Sequence, residues 1–399
     1  MNIATSAAKA SCFGGYKVID ADTHLSEPHD LWVKRAPAKF KDRVPQIKLV
    51  NGEKSWVIDG DKLIGRGACP NSAILKDGTK PPGFAFMKYQ MDDVYVGASK
   101  TKERLEFMDS YGVSAQIIYP NLLGFGGQRA ANVDCELRLL SMQIYNDAMA
   151  EIQAESGNRL FPMALLPWWD IEGSVREAKR TAAMGLRGIN INPDPHTKTD
   201  ARGELIPDLG HPAWDPLWEV CTDLNLPVNF HIGGSEQSID WFGDQAWPSF
   251  DSEHKGALGG AMLFFNNARV MANIIFSGLL DRHPKLKFVS VESGIGWVPF
   301  LLEAIDHQYR EIITKPKLKR APSEYFKSNF FACFWFERHD VTAMIKDVGV
   351  ENVLFETDFP HPTCLYPVDG VSSALEGLGP TGIQKVLSGN AAKLYNIEA

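Results

Sequence analysis

Short apolar runs recur along this sequence, most of them followed by a longer stretch with helical periodicity, and that alternation restricts the fold more than any other feature. The runs are Tyr16 to Asp22, Ala115 to Tyr119, Phe161 to Leu166, Leu186 to Ile191, Pro227 to His231, Leu286 to Val291, Asn329 to Phe334 and Asn352 to Thr357. Among the helical stretches are Lys102 to Tyr111, Asp134 to Ser156, Ser174 to Met184 and Trp214 to Leu224. Eight strand-helix units predict an α/β protein built as a closed (β/α)8 TIM barrel. A doubly wound open sheet would call for a Gly-rich phosphate fingerprint after the first strand, which here runs into ADTHLSEP instead. A barrel takes up a chain of 399 residues as one domain, 1–399, with residues 1–15 read as a flexible tail.

One stretch, about 27–100, interrupts the alternation. Within it QIKLVNGEKSWVIDGDKLIG reads as short strands joined at Asn51-Gly52 and Asp59-Gly60, a small β insertion after strand one that would cover the barrel mouth. The segment from Gly233 to Gly260 reads as a second long loop, whose Trp241, Phe242, Trp247 and Phe250 are candidates for a substrate-binding wall.

Charge narrows the partners. With 41 basic against 49 acidic residues the net charge is -8, so no cation excess exists to displace counterions from a nucleic acid. The basic run Lys315 to Arg320 is short and reads as a solvated loop. No run of about 18 apolar residues marks a membrane span, and the six cysteines show neither CxxC nor zinc-finger spacing. A cytoplasmic enzyme acting on a small molecule is the expectation.

Chemistry gathers where strands end. Along the first strand Asp20, Asp22 and His24 alternate and so share a side, which in a barrel can be the interior. An inward carboxylate-imidazole pair there needs a partner, and a cation would supply one. In PVNFHIGG an apolar strand ends on His231 and two turn-forming glycines. In NVLFETDFPHP another ends on Glu356, Thr357 and Asp358, with His361 close behind. These groups fall at the ends of strands one, five and eight, the face on which this fold collects catalytic residues. Asp22, His24, His231 and Asp358 are therefore the candidate ligands of one divalent metal, zinc first and manganese second. Two imidazoles with two carboxylates suit either ion and leave positions open.

The motifs VIDADTHLSEP, VNFHIGG, DRHPKLKFVSVESGIGWVPFLLEAIDHQ and LFETDFPHP together resemble the amidohydrolase-related group of the amidohydrolase superfamily, which contains aminocarboxymuconate-semialdehyde decarboxylase and the resorcylate-type decarboxylases. The resemblance covers nearly the whole chain. It implies a metal-dependent barrel, commonly a homodimer, with His24 and His231 as metal histidines, Asp358 as the strand-eight aspartate and Asp22 at a position that relatives fill with histidine or glutamate. No lysine stands at a strand end as a carbamylated bridge would require, which favours one metal over two. At strand six the decarboxylases of the group carry a histidine where this chain has Glu292. Glu292 is thus a candidate general acid, or else an acceptor that orients a ligand histidine. His254 is the candidate to replace the missing imidazole, and His361 is placed with the substrate. The resemblance implies a decarboxylase of a small aromatic or unsaturated acid, as in aromatic-compound catabolism. Hydrolysis of a C-N, C-O or C-C bond by activated water, with Asp358 as base, is the alternative, and a non-catalytic metal protein a remote one.

Overall fold

The computed structural model describes residues 12–69, 71–239, 246–315 and 317–398. Twelve strands lie among them: β1 (Val18–His24), β2 (Gln46–Val50), β3 (Glu53–Ile58), β4 (Lys62–Gly65), β5 (Val113–Tyr119), β6 (Leu160–Pro162), β7 (Ala164–Leu165), β8 (Ile189–Asn190), β9 (Val228–His231), β10 (Phe288–Val291), β11 (Phe330–Phe334) and β12 (Val353–Phe355). One parallel sheet runs β1-β5-β6 and another β12-β11-β10-β9-β8-β7. Met163 joins them, because its N–H donates to the Ile118 carbonyl at 2.9 Å while the next residue, Ala164, donates to Gly188 at 3.0 Å. At the other edge Thr23 bridges Phe359 in parallel, His24 N–H donates to Phe359 at 2.8 Å and Asp358 N–H to Asp22 at 2.9 Å. With β6 and β7 as one strand split between two neighbours, eight strands close into the expected (β/α)8 barrel.

The interior is a packed core rather than a channel. Ile19, Ala21, Ile117, Phe161, Val289, Val291, Cys333 and Leu354 fill it from the strands, and Tyr395 enters from the C-terminal helix Asn390–Tyr395. The Tyr395 and Tyr119 hydroxyls both donate to Asn229 Oδ1, at 2.6 and 2.9 Å, which satisfies the polar atoms that these residues carry into the core.

The insertion folds as read. β2, β3 and β4 form an antiparallel sheet whose corners put Asn51 (φ 51°), Gly52 (φ 83°), Asp59 (φ 52°) and Gly60 (φ 89°) in the left-handed region these turns demand. The second long loop is shorter than expected, since a helix spans Ser252–Phe276 with Asp251 as its N-cap. Gly256 and its neighbouring glycines lower helix propensity and hide that start. The reason for Gly256 lies elsewhere in the chain: a Cβ there would stand 2.2 Å from the ring of Phe84, which the insertion lays on the helix.

Candidate metal centre

β1 delivers its carboxylates to different tasks. Asp20 accepts from Thr357 N–H at 2.8 Å and Thr357 Oγ1 at 2.6 Å, which locks β1 to the segment after β12. Asp22 and His24, both fully buried, point instead into a pocket at the C-terminal ends of the strands. There His24 Nε2 lies 3.4 Å from Asp22 Oδ1 and 3.5 Å from Asp358 Oδ1. His231 Nε2 lies 3.6 Å from Asp22 Oδ2 and 3.2 Å from Glu292 Oε2. Four residues expected from the sequence as ligands, together with Glu292, thus meet in one place.

Each of the two histidines is held by its other nitrogen. His24 Nδ1 donates to the Tyr119 carbonyl at 3.2 Å and His231 Nδ1 to the Ile232 carbonyl at 2.8 Å, so both Nε2 atoms face the pocket as lone pairs, the tautomer a metal ligand needs. Among the described residues, Asp22 Oδ1 and Oδ2, His24 Nε2, His231 Nε2 and Glu292 Oε2 are buried without a hydrogen-bond partner. Five orphaned buried polar atoms converging on one point would be costly alone, and a divalent cation would satisfy them together. The electrostatics agree. Burial, and then mutual repulsion, hold the Glu292 carboxyl well above the ordinary range. Burial pushes Asp358 up to about 7, and burial followed by the neighbouring His361 and His231 pulls His24 well below its usual value.

His361 stacks on His24 with centroids 3.6 Å apart. Its Nε2 donates to Asn121 Oδ1 at 2.7 Å and its Nδ1 faces Asp358 Oδ1 at 2.9 Å. Asn121 is itself fixed by Glu27, whose Oε1 accepts the Asn121 and Leu122 N–H groups at 3.0 and 2.9 Å. The remaining calls fall elsewhere. His254 sits on the first turn of its helix, paired with Asp251 at 2.7 Å, its side chain 76% exposed and outside the converging group. A helix-capping partner explains it, and it takes no part in the centre. Trp247 is 72% exposed and packs on Phe250 at the surface, while Trp241 and Phe242 lie outside the described residues.

Two contributors escape a sequence reading. Phe125 lies 4.1 Å from His231 and 5.3 Å from His24 between ring centroids, so the aromatic ring beside these histidines comes from the loop after β5 and not from the later loop. Only the glycines around it, in LLGFGG, hint at a rim turn. Arg104, fully buried, donates to the carbonyls of His24 and Gly97, each at 2.6 Å, and so clamps the end of β1 from a helix whose periodicity carries no such signal.

A family model described as Amidohydrolase matches residues 19–397. The chain belongs to the amidohydrolase family. This amidohydrolase-family chain is 23% identical over 266 residues to the 2-amino-3-carboxymuconate-6-semialdehyde decarboxylase of Dictyostelium discoideum, a match covering 64% of this chain and 66%, just under two thirds, of that protein. Its fold is shared with an amidohydrolase from Mycobacterium avium subsp. paratuberculosis K-10, at TM-score 0.73 and 24% identity over 95% of this chain and 99% of the other. It is shared also with a dihydroxybenzoic acid decarboxylase from Polaromonas sp. JS666, solved with bound manganese and the inhibitor 2-nitroresorcinol, at TM-score 0.57 and 20% identity over 96% and 98% of the two chains.

Proposed function

We propose that this amidohydrolase-family protein is a metal-dependent carboxy-lyase that releases carbon dioxide from a small aromatic or unsaturated carboxylic acid. The observation that carries the reading is the convergence of Asp22, His24, His231, Glu292 and Asp358 with their metal-facing atoms unsatisfied. The decarboxylases among its relatives support the substrate class. Asp22, His24, His231 and Asp358 would hold one divalent ion. Counting Glu292, the centre is oxygen-rich, which shifts the expectation from zinc toward manganese. Such an ion, when bound, supplies positive charge against which an acid's carboxylate and an adjacent hydroxyl or oxo group are placed.

The protein's own groups do the rest. Phe125 and His361 border the position for a flat substrate, and the Phe125 ring lies against His231. Glu292, whose buried carboxyl is held well above the ordinary range, gives its proton to the carbon that carries the carboxylate. The carbon-carbon bond then breaks, its electrons stay on that carbon to restore the unsaturated system, and carbon dioxide leaves. Glu292 regains a proton from solvent.

A second reading rests on the same residue. A carboxyl at strand six, where decarboxylases of the group carry histidine, also suits hydrolysis, with Asp358 or Glu292 taking a proton from water. Exposed Phe265, Phe300 and Phe336, at 51%, 78% and 45%, support a homodimer. Six free cysteines support a reducing, cytoplasmic setting, and among the described residues no helix is long and apolar enough to cross a membrane.

The test is elemental analysis of the wild type beside Asp22→Ala, His24→Ala, His231→Ala and Asp358→Ala, with folding checked by circular dichroism. About one ion per chain, lost from the folded variants, is expected. Metal retained in all four would overturn the centre. Carbon dioxide release without incorporation of solvent oxygen separates the lyase from the hydrolase.

A further inference from the structure

β9 ends on His231, and the residues from Ile232 to Ser235 decide how its imidazole is held. The acceptor for Nδ1–H is the carbonyl of its own neighbour, Ile232, at 2.8 Å. The tautomer that aims Nε2 at the centre therefore depends on where this turn puts one carbonyl. Gly233 takes φ at 64°, and Gly234 N–H returns to the His231 carbonyl at 3.1 Å, which tightens the turn. A Cβ at Gly126 would stand 2.1 Å from the Gly234 carbonyl oxygen, so the loop that carries Phe125 rests on the same turn.

A buried charge anchors the far end of the turn. Ser235 Oγ donates to Asp194 Oδ2 at 2.5 Å. Arg269, from the helix Ser252–Phe276, donates to both oxygens of that carboxylate, each at 2.8 Å. The Asp194 side chain is 1% exposed and lies outside the converging donors, whereas that of Arg269 is 37% exposed. Lys198 and Glu236 pair a second time between the same two segments, one after β8 and one after β9. Burying a carboxylate in this way adds little to stability, because desolvation offsets the attraction of its partner, but it selects one arrangement of the groups around it. The arrangement selected here is the turn that holds His231.

We propose that Asp194 and Arg269 are positioning residues for the metal centre, acting through Ser235 and the Ile232 carbonyl on His231. This role rests on the metal-centre reading above, and the experiment separates the two. Manganese affinity is measured by calorimetry for the wild type, Arg269→Met, Arg269→Lys, Ser235→Ala and the double variant Arg269→Met/Ser235→Ala. Arg282→Met, which removes an ion pair with Asp215 that shares no residue with this chain of contacts, is the control. Each is checked for folding by circular dichroism and for its thermal midpoint. Arg269→Met should bind manganese about tenfold or more weakly than the wild type. Arg269→Lys, which keeps the charge but not the fork, should recover part of that loss. The double variant should lose no more than the weaker of its single parents, because both breaks lie on one path, and Arg282→Met should change the thermal midpoint alone. Nitrogen-15 NMR of the histidines in chelated protein, with the His231 signal assigned from His231→Gln, should show the Nδ1–H tautomer in the wild type and a mixture of both tautomers in Arg269→Met. Should Arg269→Met fail to fold, Ser235→Ala carries the same test. An unchanged tautomer in the folded variant, an unchanged affinity where the wild type binds manganese, losses that add in the double variant, or an equal loss in Arg282→Met would overturn the proposal. A wild type that binds no manganese speaks against the metal reading, and a tautomer change in Arg269→Met then upholds the hold on His231 by itself.

Discussion

Glu292 and Asp358 share a backbone conformation that side chains with a Cβ rarely adopt, with φ at 55° and 59°. Each costs on the order of 1 to 2 kcal/mol, held by the surrounding structure. In return both carboxyls turn over the strand ends toward the histidines. If Glu292 is the proton donor, Glu292→Gln should keep the metal and lower kcat about 100-fold or more, read by carbon dioxide release beside elemental analysis. Loss of metal in that variant would make Glu292 a ligand instead. The pH dependence follows from Asp358. Its carboxyl is raised to about 7 in the fold, above the unfolded value, so in the metal-free protein it favours folding at low pH, and that contribution disappears as pH rises through 7. Metal binding needs the carboxylate, so affinity should run the other way. It should be about tenfold or more weaker at pH 5.5 than at 7.5, with protons released on binding, measured by calorimetry in buffers of different ionisation enthalpy.

At the level of elements, the packing of Phe84 on Gly256 ties the insertion to the helix Ser252–Phe276. Gly256→Val places a side chain where the ring sits, and overpacking of this kind costs about 1 to 3 kcal/mol. The insertion should become more open to limited proteolysis while the metal content stays at wild-type level. The same contact shows where the sequence stops being legible. All eight barrel strands could be read, because each is an apolar run between turn signals, and the metal residues stood at their ends. The turns Asn51-Gly52 and Asp59-Gly60 announced the hairpins. Gly256, by contrast, obeys a ring that stands far from it in the chain, so local pattern points to loop where tertiary packing makes helix. Phe125 and Arg104 were hidden for the same reason. An aromatic residue among glycines and a basic residue on a helix declare nothing until the fold brings them to His231 and His24. His254 shows the opposite case: its place after the fifth strand pointed to the site, while the fold pairs it with Asp251 at the start of a helix.

For the whole molecule, the metal should act as a cross-brace between distant parts of the chain, since its proposed ligands come from β1, β9 and the segment after β12. Ligand present at about a thousand times its dissociation constant adds about 4 kcal/mol to the folded state. Manganese added to chelated protein should raise the thermal midpoint by a few degrees, and Asp22→Ala should remove that response without unfolding the protein. The core beneath the centre carries a further consequence. Asn229, at the middle of the barrel, is saturated only when Tyr395 has joined Tyr119 on it. A chain emerging from the ribosome can lay down strands and helices in order, yet it cannot seal the barrel floor until Tyr395 has been made. Asn229 and Tyr395 stand 166 positions apart, so the closing of the barrel floor is a long-range contact whose chain-ordering cost has to be met before the interior is sealed.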